Sequence, residues 1–268
     1  MAKTIANILS IAGSDPSGGA GIQADLKTFA ARGAYGMAVL TALTAQNTQG
    51  VSGVHLVPPA FVAAQISDVF ADVHVDAVKI GMIATAEIAE TVAGALAPHR
   101  GVPLVLDPVM VAKGGASLLA KEAVEALTRL LLPRAILTPN LPEAAALLGV
   151  PEATDRAAMA EQARRLLAFG PKAVLLKGGH LPGRESPDVL VTGDQVHWFE
   201  GVRVLTRNTH GTGCSLSSAI AAELGKGSLL VDAVAAAKSY IAGAVRGSDA
   251  LSVGSGHGPL HHFHALWN

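Results

Sequence analysis

Short apolar runs alternate with amphipathic stretches along most of this chain, and this alternation constrains the fold more than any other feature. Each run is short enough for a buried strand and is bounded by Gly, Pro or Asn. A repeating strand–helix–strand order predicts a parallel sheet with helices on both faces. Half of the residues are apolar and 15% are charged, which agrees with such burial. The predicted strands span residues 5–12, 35–43, 77–80, 103–107, 135–138 and 173–177.

Helical spacing fills the intervals between these strands. A stripe of Ile22, Leu26 and Phe29 ends at Gly33, and two prolines at 58 and 59 open the next helix. Residues 188–192 and 195–199 flank Gly193-Asp194, which predicts a β-hairpin at one sheet edge. We expect one domain over residues 1–268. The predicted helices span 20–32, 58–73, 85–96, 119–132, 154–169, 213–224 and 229–245.

Charge and hydropathy exclude several classes of protein. The chain has 20 Lys and Arg against 21 Asp and Glu, so it offers no basic surface for nucleic acid. No run of about 18 apolar residues occurs, because residues 46–50 interrupt the longest uncharged stretch, so a membrane span is not expected. The first seven residues lack a secretion-signal pattern, and a cytoplasmic location is the expectation.

Polar residues follow the predicted strands, and ligands of open parallel sheets bind beyond these strand ends. The strongest segment is His-Gly-Thr-Gly-Cys at 210–214, where two glycines precede an apolar helix. Backbone N–H groups at such a helix start attract anions. No Walker-type phosphate motif occurs. A G-x-G-x-x-A pattern at 19–24 lacks the acidic residue of a dinucleotide site, which favours a substrate loop or a plain helix entry.

Three further features have a chemical and a structural interpretation. Asp107, Asn140 and Glu143 follow neighbouring strands and offer oxygen ligands for Mg²⁺, or else form a turn and a helix capping box. Cys214 is the only cysteine. Its place at a helix start predicts a pKa lowered toward neutrality, whereas a small buried side chain is the alternative. The histidines near the C-terminus match no metal-ligand spacing and indicate a packed tail.

Five segments together carry a family resemblance: GSDPSGGAGIQAD at 13–25, AQNT at 45–48, TPNLPE at 138–143, KGGH at 177–180 and HGTGC at 210–214. They resemble the hydroxymethylpyrimidine phosphate kinases of thiamine biosynthesis, in the ribokinase-like superfamily. The resemblance covers essentially the whole chain. It implies a three-layer αβα sandwich around a mostly parallel sheet, a homodimer, and ATP- and Mg²⁺-dependent phosphorylation of hydroxymethylpyrimidine and then of its phosphate.

The resemblance also implies roles for individual residues. Gln46, Asp25 and Met82 would line the pyrimidine site with Gly13, Ala20 and Val109 beside them. Lys177 would face the ATP phosphates, with Asn140, Thr212 and Lys238 near the nucleotide. Asp107 and Glu143 would serve the metal, and Gly211, Thr212 and Gly213 would form the anion hole next to Cys214. A pyridoxal kinase of the same superfamily and a vitamin-binding protein without turnover are the alternatives.

Overall fold

An eight-stranded sheet forms the centre of the computed structural model, which describes residues 5–110 and 121–267. Its strand order is β10-β9-β8-β7-β6-β5-β1-β2, and a separate two-stranded sheet pairs β3 with β4. From β2 across to β8 all neighbours are parallel, whereas β9 and β10 add an antiparallel hairpin. The strands are β1 (Asn7–Ala12), β2 (Tyr35–Leu40), β3 (Ala42–Asn47), β4 (Gly50–Leu56), β5 (Ala77–Ile80), β6 (Leu104–Leu106), β7 (Ile136–Leu137), β8 (Ala173–Lys177), β9 (Asp188–Thr192) and β10 (Gln195–Phe199).

Eight α-helices occur in the described ranges, and local sequence signals set several of their ends. The Thr85 side chain accepts a hydrogen bond from the N–H of Ile88, and the Asp155 side chain accepts one from Ala158. Residues 119 and 120 of one predicted helix lie outside the described residues. The helices are α1 (Gly21–Ala31), α2 (Pro59–Asp72), α3 (Ala86–Leu96), α4 (Lys121–Leu130), α5 (Leu141–Leu148), α6 (Arg156–Leu167), α7 (Thr212–Gly225) and α8 (Leu230–Arg246).

The core has two apolar layers, one on each face of the large sheet. Successive strand residues point to opposite faces, so Leu9 joins the layer under α2, α3, α4 and α6, while Ile8 joins the layer under α7 and α8. Both side chains are fully buried. The predicted αβα sandwich and its edge hairpin are confirmed. Among residues 5–110 and 121–267, no helix combines the length and apolar character needed to cross a bilayer.

Two elements differ from the sequence prediction. The apolar run at 35–43 is not one strand, because Thr41 leaves the sheet and donates from Oγ1 to the carbonyl of Met82 at 2.7 Å. The chain then turns into β3, which pairs with β4 and forms a hairpin that the sequence analysis missed. The predicted helices did not include α5, although the capping-box interpretation of Asn140 and Glu143 implied a helix start there, and the structure contains that capping box.

Candidate functional site

The parallel strands end at one edge of the sheet, and a cleft of about 1870 Å³ lies beyond that edge. This volume exceeds the usual range for one small ligand and suits two substrates side by side. The cleft brings together all but one of the residues that the sequence analysis selected: Gly13, Ala20, Gln46, Met82, Asp107, Val109, Asn140, Glu143, Lys177, Gly211, Thr212, Gly213, Cys214 and Lys238.

A glycine turn at the start of α7 forms one wall of the cleft. Gly211 has φ +78°, a left-handed conformation that favours glycine, and a side chain there would collide with the carbonyl oxygen of Gly19. The N–H of Thr212 makes a long 3.4 Å contact to the carbonyl of Thr209. The next N–H groups of α7 have no acceptor within the helix and are available to an anion in the cleft. The loop after β1 and the start of α7 therefore touch where the phosphate-binding segment was predicted.

A lysine–aspartate pair lies directly against this turn. Lys177, at the end of β8, donates from Nζ to Oδ1 of Asp107 at 2.8 Å. A Cβ built on Gly213 would lie 3.1 Å from Lys177 Nζ and 3.4 Å from Asp107 Oδ2, so a glycine lets this pair approach the helix start. Burial disfavours the charge of Lys177, but Asp107 and Glu143 outweigh it and raise the pKa of Lys177.

Glu143 both caps helix α5 and lines the cleft, the two roles that the sequence analysis considered for it. Its Oε2 accepts from the Asn140 N–H at 2.8 Å, and Asn140 Oδ1 accepts from the Glu143 N–H at 2.9 Å, which completes the capping box of α5. The same carboxyl faces the cleft near Lys177 and Asp107. Burial raises the pKa of Glu143 to about 7, with Lys177 opposing and Asp107 adding to the shift. Glu143 can therefore take up and release a proton near neutral pH.

The pKa of the Cys214 thiol is higher than the sequence analysis predicted. Burial raises the pKa of Cys214 to about 11, although the positive charge of Lys79 opposes this effect. The N–H of Gly21 also points to the sulfur and favours the thiolate. The pKa is therefore not lowered to neutrality as predicted, because desolvation outweighs the charge of Lys79 and the hydrogen bond from Gly21. Cys214 is a neutral thiol at pH 7.

Asp25 is the one selected residue that the structure does not place on the cleft wall. It is fully buried beneath the floor, where both carboxylate oxygens lie 2.9 Å from Nζ of Lys79. Ser10 and Ser218 donate to the same carboxylate at 2.6 and 2.7 Å. These residues come from β1, α1, β5 and α7, so the network ties together four elements that carry the cleft.

Lys79, to which the sequence analysis assigned no role, lines the cleft above Asp25. Its fully buried ammonium group favours the thiolate form of Cys214. Burial disfavours the charge of Lys79, but Asp25 outweighs that effect and raises its pKa. A lysine inside the otherwise apolar strand Ala77–Ile80 was the available signal, since a buried charge requires a partner.

The pyrimidine end of the predicted site contains Gln46 on β3 and Met82 after β5. A side chain at Gly13 would collide with Cε of Met82, so the loop after β1 packs closely on this methionine. Asp15 and His210 also line this end; they lie in the segments 13–25 and 210–214, but the sequence analysis gave them no individual role. Nε2 of His210 lies 2.8 Å from Oδ2 of Asp15.

The other end of the cleft is bounded by α8 and the edge hairpin. Lys238 donates from Nζ to Oδ2 of Asp188 and to the carbonyl of Ser186, both at 2.6 Å. Asp188 also accepts from the N–H of Gly178 at 2.9 Å. Lys238 therefore links α8 to the glycine loop after Lys177, in the region predicted to hold the nucleotide.

His262 and His264 of the C-terminal run pack against α7 and α8. His262 is 4% exposed, and its Nε2 lies 3.0 Å from Oγ of Ser215. Its carbonyl accepts from the Tyr240 hydroxyl at 3.0 Å. The predicted packed tail is confirmed for residues 258–264, whereas His257 and residues 265–267 are exposed. Within the described part of the chain, no group of three or more His, Cys, Asp or Glu side chains is placed to hold a metal ion.

Known proteins match this chain along nearly its whole length. Residues 15–261 match the family model described as phosphomethylpyrimidine kinase. A hydroxymethylpyrimidine/phosphomethylpyrimidine kinase from Escherichia coli (strain K12) is 54% identical over 262 residues, or 97% of this chain and 98% of that protein. The crystal structure of phosphomethylpyrimidine kinase from Clostridium difficile 630 is 44% identical with a TM-score of 0.78, covering 88% and 97% of the two chains. An ADP complex of Bacillus subtilis pyridoxal kinase is 36% identical with a TM-score of 0.90, covering 99% and 100%.

Proposed function

Because the chain belongs to the phosphomethylpyrimidine kinase family, we propose how each part of its cleft takes part in phosphoryl transfer. The chain is an ATP-dependent phosphotransferase that phosphorylates hydroxymethylpyrimidine and its phosphate in thiamine biosynthesis. The observation that best supports the residue roles is the convergence of an anion-binding helix start with the Lys177–Asp107 pair in one cleft. Without a Walker motif, phosphate has to be held by such groups.

The transferred phosphoryl group would lie at Gly211, Thr212 and Gly213. Backbone N–H groups there, together with Lys177, neutralise the charge that develops on its oxygens. In each step an acceptor oxygen forms a bond to the γ-phosphorus of ATP while the bond between that phosphorus and the β,γ-bridging oxygen breaks. The bridging oxygen leaves as part of ADP. We assign Asn140, Thr212 and Lys238 to the nucleotide side of the cleft, with Lys177 between the two substrates.

Asp107 and Glu143 fit the magnesium ion that the family uses. Mg²⁺ is usually held by one or two carboxylates together with waters and substrate phosphates, so these two residues suffice for an ion that arrives with ATP. Their carboxyl groups are buried next to Lys177 and close to the helix start. Bound Mg²⁺ would neutralise charge on the transferring phosphates. Asp107 and Glu143 would orient its ligands.

The acceptor pyrimidine would lie against Gln46, Met82 and Val109, with Gly13 and Ala20 beneath it. An aminopyrimidine presents a ring-nitrogen acceptor next to an amino donor, and the amide of Gln46 offers the complementary pair. Asp25 has no part in this contact, because it is fully buried below the floor. Its role is to pair with Lys79.

Cys214 is our candidate for the group that takes the acceptor's proton in the first step. The first acceptor is a neutral alcohol and needs a base, whereas the phosphate oxygen of the second acceptor is already anionic. A thiol with a pKa of about 11 supplies only a small thiolate fraction at neutral pH, which Lys79 favours. The same neutral thiol does not repel the second acceptor, as a fixed carboxylate would.

Phosphorylation of pyridoxal is a second candidate activity. It is suggested by the likeness to Bacillus subtilis pyridoxal kinase, whose TM-score of 0.90 exceeds the 0.78 of the Clostridium difficile enzyme. Sequence identity favours the pyrimidine kinase, because it is 44% with the Clostridium difficile enzyme and 36% with the pyridoxal kinase. We therefore propose pyridoxal as the poorer substrate. We also propose a cytoplasmic homodimer, as the family resemblance implies.

The experiment is a steady-state assay of ADP formation by the purified chain with Mg²⁺ and ATP. Hydroxymethylpyrimidine, its phosphate and pyridoxal serve as separate acceptors. We expect the highest kcat/KM with the two pyrimidines and a lower value with pyridoxal. Turnover of pyridoxal alone would contradict the pyrimidine site. Light scattering on the same preparation tests the dimer, for which a mass of twice 27.2 kDa is expected.

A further inference from the structure

Asp15, His210 and Gln46 form a connected row on the acceptor side of the cleft. Nε2 of His210 lies 2.8 Å from Oδ2 of Asp15 and 3.3 Å from Nε2 of Gln46. The His210 ring packs on the backbone at Gly19, where a Cβ would collide with it. His210 also adjoins the phosphate-binding turn, since Gly211 follows it directly. The row therefore connects the proposed pyrimidine-reading residue to the loop after β1.

Asp15 can only accept hydrogen bonds in this row. Ser17 donates to its Oδ1 from the backbone at 2.9 Å and from Oγ at 2.6 Å. Gly19 and Ala20 donate to its Oδ2 at 3.2 and 2.8 Å. Burial alone would raise the pKa of Asp15, but the hydrogen bonds from His210 and Ser17 outweigh it and lower the pKa to about 2. Asp15 is therefore ionised, and Nε2 of His210 has to carry a hydrogen.

A protonated Nε2 on His210 fixes the orientation of the neighbouring amide. An amide nitrogen facing it would set two donors against each other at 3.3 Å. A rotation of the Gln46 amide through about 180° removes this conflict, because Oε1 then faces the single Nε2–H of His210, which donates to Asp15 Oδ2 at 2.8 Å and is shared with Oε1 across the longer contact. The amide nitrogen then faces Oγ1 of Thr44 across the present 3.2 Å contact. Thr44 accepts this bond and donates its own proton to the carbonyl of Ser14 at 2.9 Å.

In this arrangement no donor faces another donor, the Nε2–H is shared between Asp15 and Oε1, and Gln46 keeps one free N–H and one free oxygen lone pair. We propose that the Asp15–His210 pair determines pyrimidine specificity by locking the order of this donor and this acceptor. The inference rests on the proposed role of Gln46 as the residue that reads the acceptor. His210 acts through Gln46 and is a positioning residue.

The prediction concerns a pair of acceptors with opposite hydrogen-bond patterns. Hydroxymethylpyrimidine has a 4-amino donor beside a ring-nitrogen acceptor, and its 4-oxo analogue has a carbonyl acceptor beside a ring N–H donor. We expect the unmodified protein to prefer the 4-amino compound by about 10²-fold or more in kcat/KM, because the analogue sets like groups against a locked amide. In His210→Phe the amide is free to rotate, and the preference should fall to about tenfold or less.

A matched control separates this effect from general damage to the cleft. His257 lines the same cleft but is exposed, and its backbone N–H donates to the carbonyl of Thr48. His257→Phe should keep the preference of the unmodified protein. In His210→Phe, kcat at saturating 4-amino compound should change little while KM rises, since the phosphate-binding groups are unaltered.

Four outcomes decide the proposal. An unchanged preference in folded His210→Phe, or no preference in the unmodified protein, overturns it. If His210→Phe does not fold, ¹⁵N NMR of histidine-labelled unmodified protein decides: protonated Nε2 at neutral pH supports the proposal, and unprotonated Nε2 overturns it. Failure of the proposed function looks different, because the unmodified protein would then phosphorylate neither pyrimidine, or Gln46→Leu would leave both KM values unchanged.

Discussion

At the scale of single residues, the raised pKa of the half-buried Cys214 thiol predicts how the two phosphorylation rates depend on pH. Its pKa of about 11 means that the thiolate fraction grows about tenfold for each unit of pH above neutrality. If Cys214 is the base, kcat for hydroxymethylpyrimidine should rise with pH between about 7 and about 9, whereas kcat for the phosphate should stay nearly flat. Parallel pH profiles for the two acceptors measure this difference.

Variants at the same position complete this test. Cys214→Ala should slow the first phosphorylation by about 10²-fold and remove its pH dependence, while the second step loses much less. Cys214→Asp should spare the alcohol step and impair the phosphate step, because a fixed carboxylate repels the anionic acceptor. Equal losses on both acceptors would instead mean that Cys214 only packs the helix start.

The raised pKa of Glu143 predicts that the free energy of unfolding depends on pH. Its pKa is 4.5 when unfolded and about 7 when folded, so between these values the folded chain holds a proton that the unfolded chain has lost. The free energy of unfolding should therefore fall as pH rises from about 4.5 to about 7, by about 1 to 3 kcal/mol from this residue.

Urea unfolding at several pH values, compared between the unmodified chain and Glu143→Gln, isolates this contribution. Glutamine keeps an oxygen for the capping box but does not ionise, so the variant should lose this part of the pH dependence. Identical pH profiles of the two proteins would show that Glu143 titrates near its ordinary pKa.

At the scale of elements, the glycine turn before α7 predicts a loss of phosphate binding when it is altered. Gly211→Ala places a side chain at φ +78° and against the carbonyl of Gly19, so the turn has to move. We expect kcat/KM for ATP to fall by about 10²-fold. Gly227→Ala is a matched control, since Gly227 has φ +86° but open space around it, between α7 and α8. Similar losses in both variants would attribute the effect to backbone strain alone.

The sequence predicted elements best where local signals and tertiary packing agree. Strands β5 and β8 and the edge hairpin begin and end at the predicted residues, because their apolar runs are bounded by turn formers. The break at Thr41 was not predictable, since it depends on a hydrogen bond to Met82, 41 positions away. The hairpin of β3 and β4 has many exposed residues and so carries no clear apolar pattern.

The candidate site shows the same limit. Motifs at strand ends located Lys177, Asp107 and the glycine turn, because parallel strands bring their carboxyl ends to one edge. The pairing of Asp25 with Lys79 and the raised pKa of Cys214 depend on burial. Burial at a particular atom follows from packing between distant elements, and one sequence does not specify it locally.

At the scale of the whole molecule, the buried pair of Lys79 and Asp25 predicts a large effect on stability. Lys79→Met leaves the Asp25 carboxylate uncompensated inside the core and should lower the free energy of unfolding by about 3 to 5 kcal/mol. Adding Asp25→Asn removes the second charge and keeps a partner for Ser10 and Ser218, so the double variant should recover most of the loss.

Denaturant unfolding of the unmodified, single and double variants measures the recovery. If the double variant is as unstable as Lys79→Met alone, the lysine contributes through packing of its alkyl chain and not through its charge.

The contact between Asp25 and Ser218 also determines when the site can form during synthesis of the chain on the ribosome. The two residues are 193 positions apart. At about 5 to 20 residues per second, a ribosome needs roughly 10 to 40 seconds to extend the chain from Asp25 to Ser218. During that time Asp25 lacks one of its hydroxyl partners, and the carbonyl of Gly19 has not yet met Gly211. The growing polypeptide therefore has no functional centre until residues 211–218 have been added, so a product that stops before Gly211 is expected to be inactive.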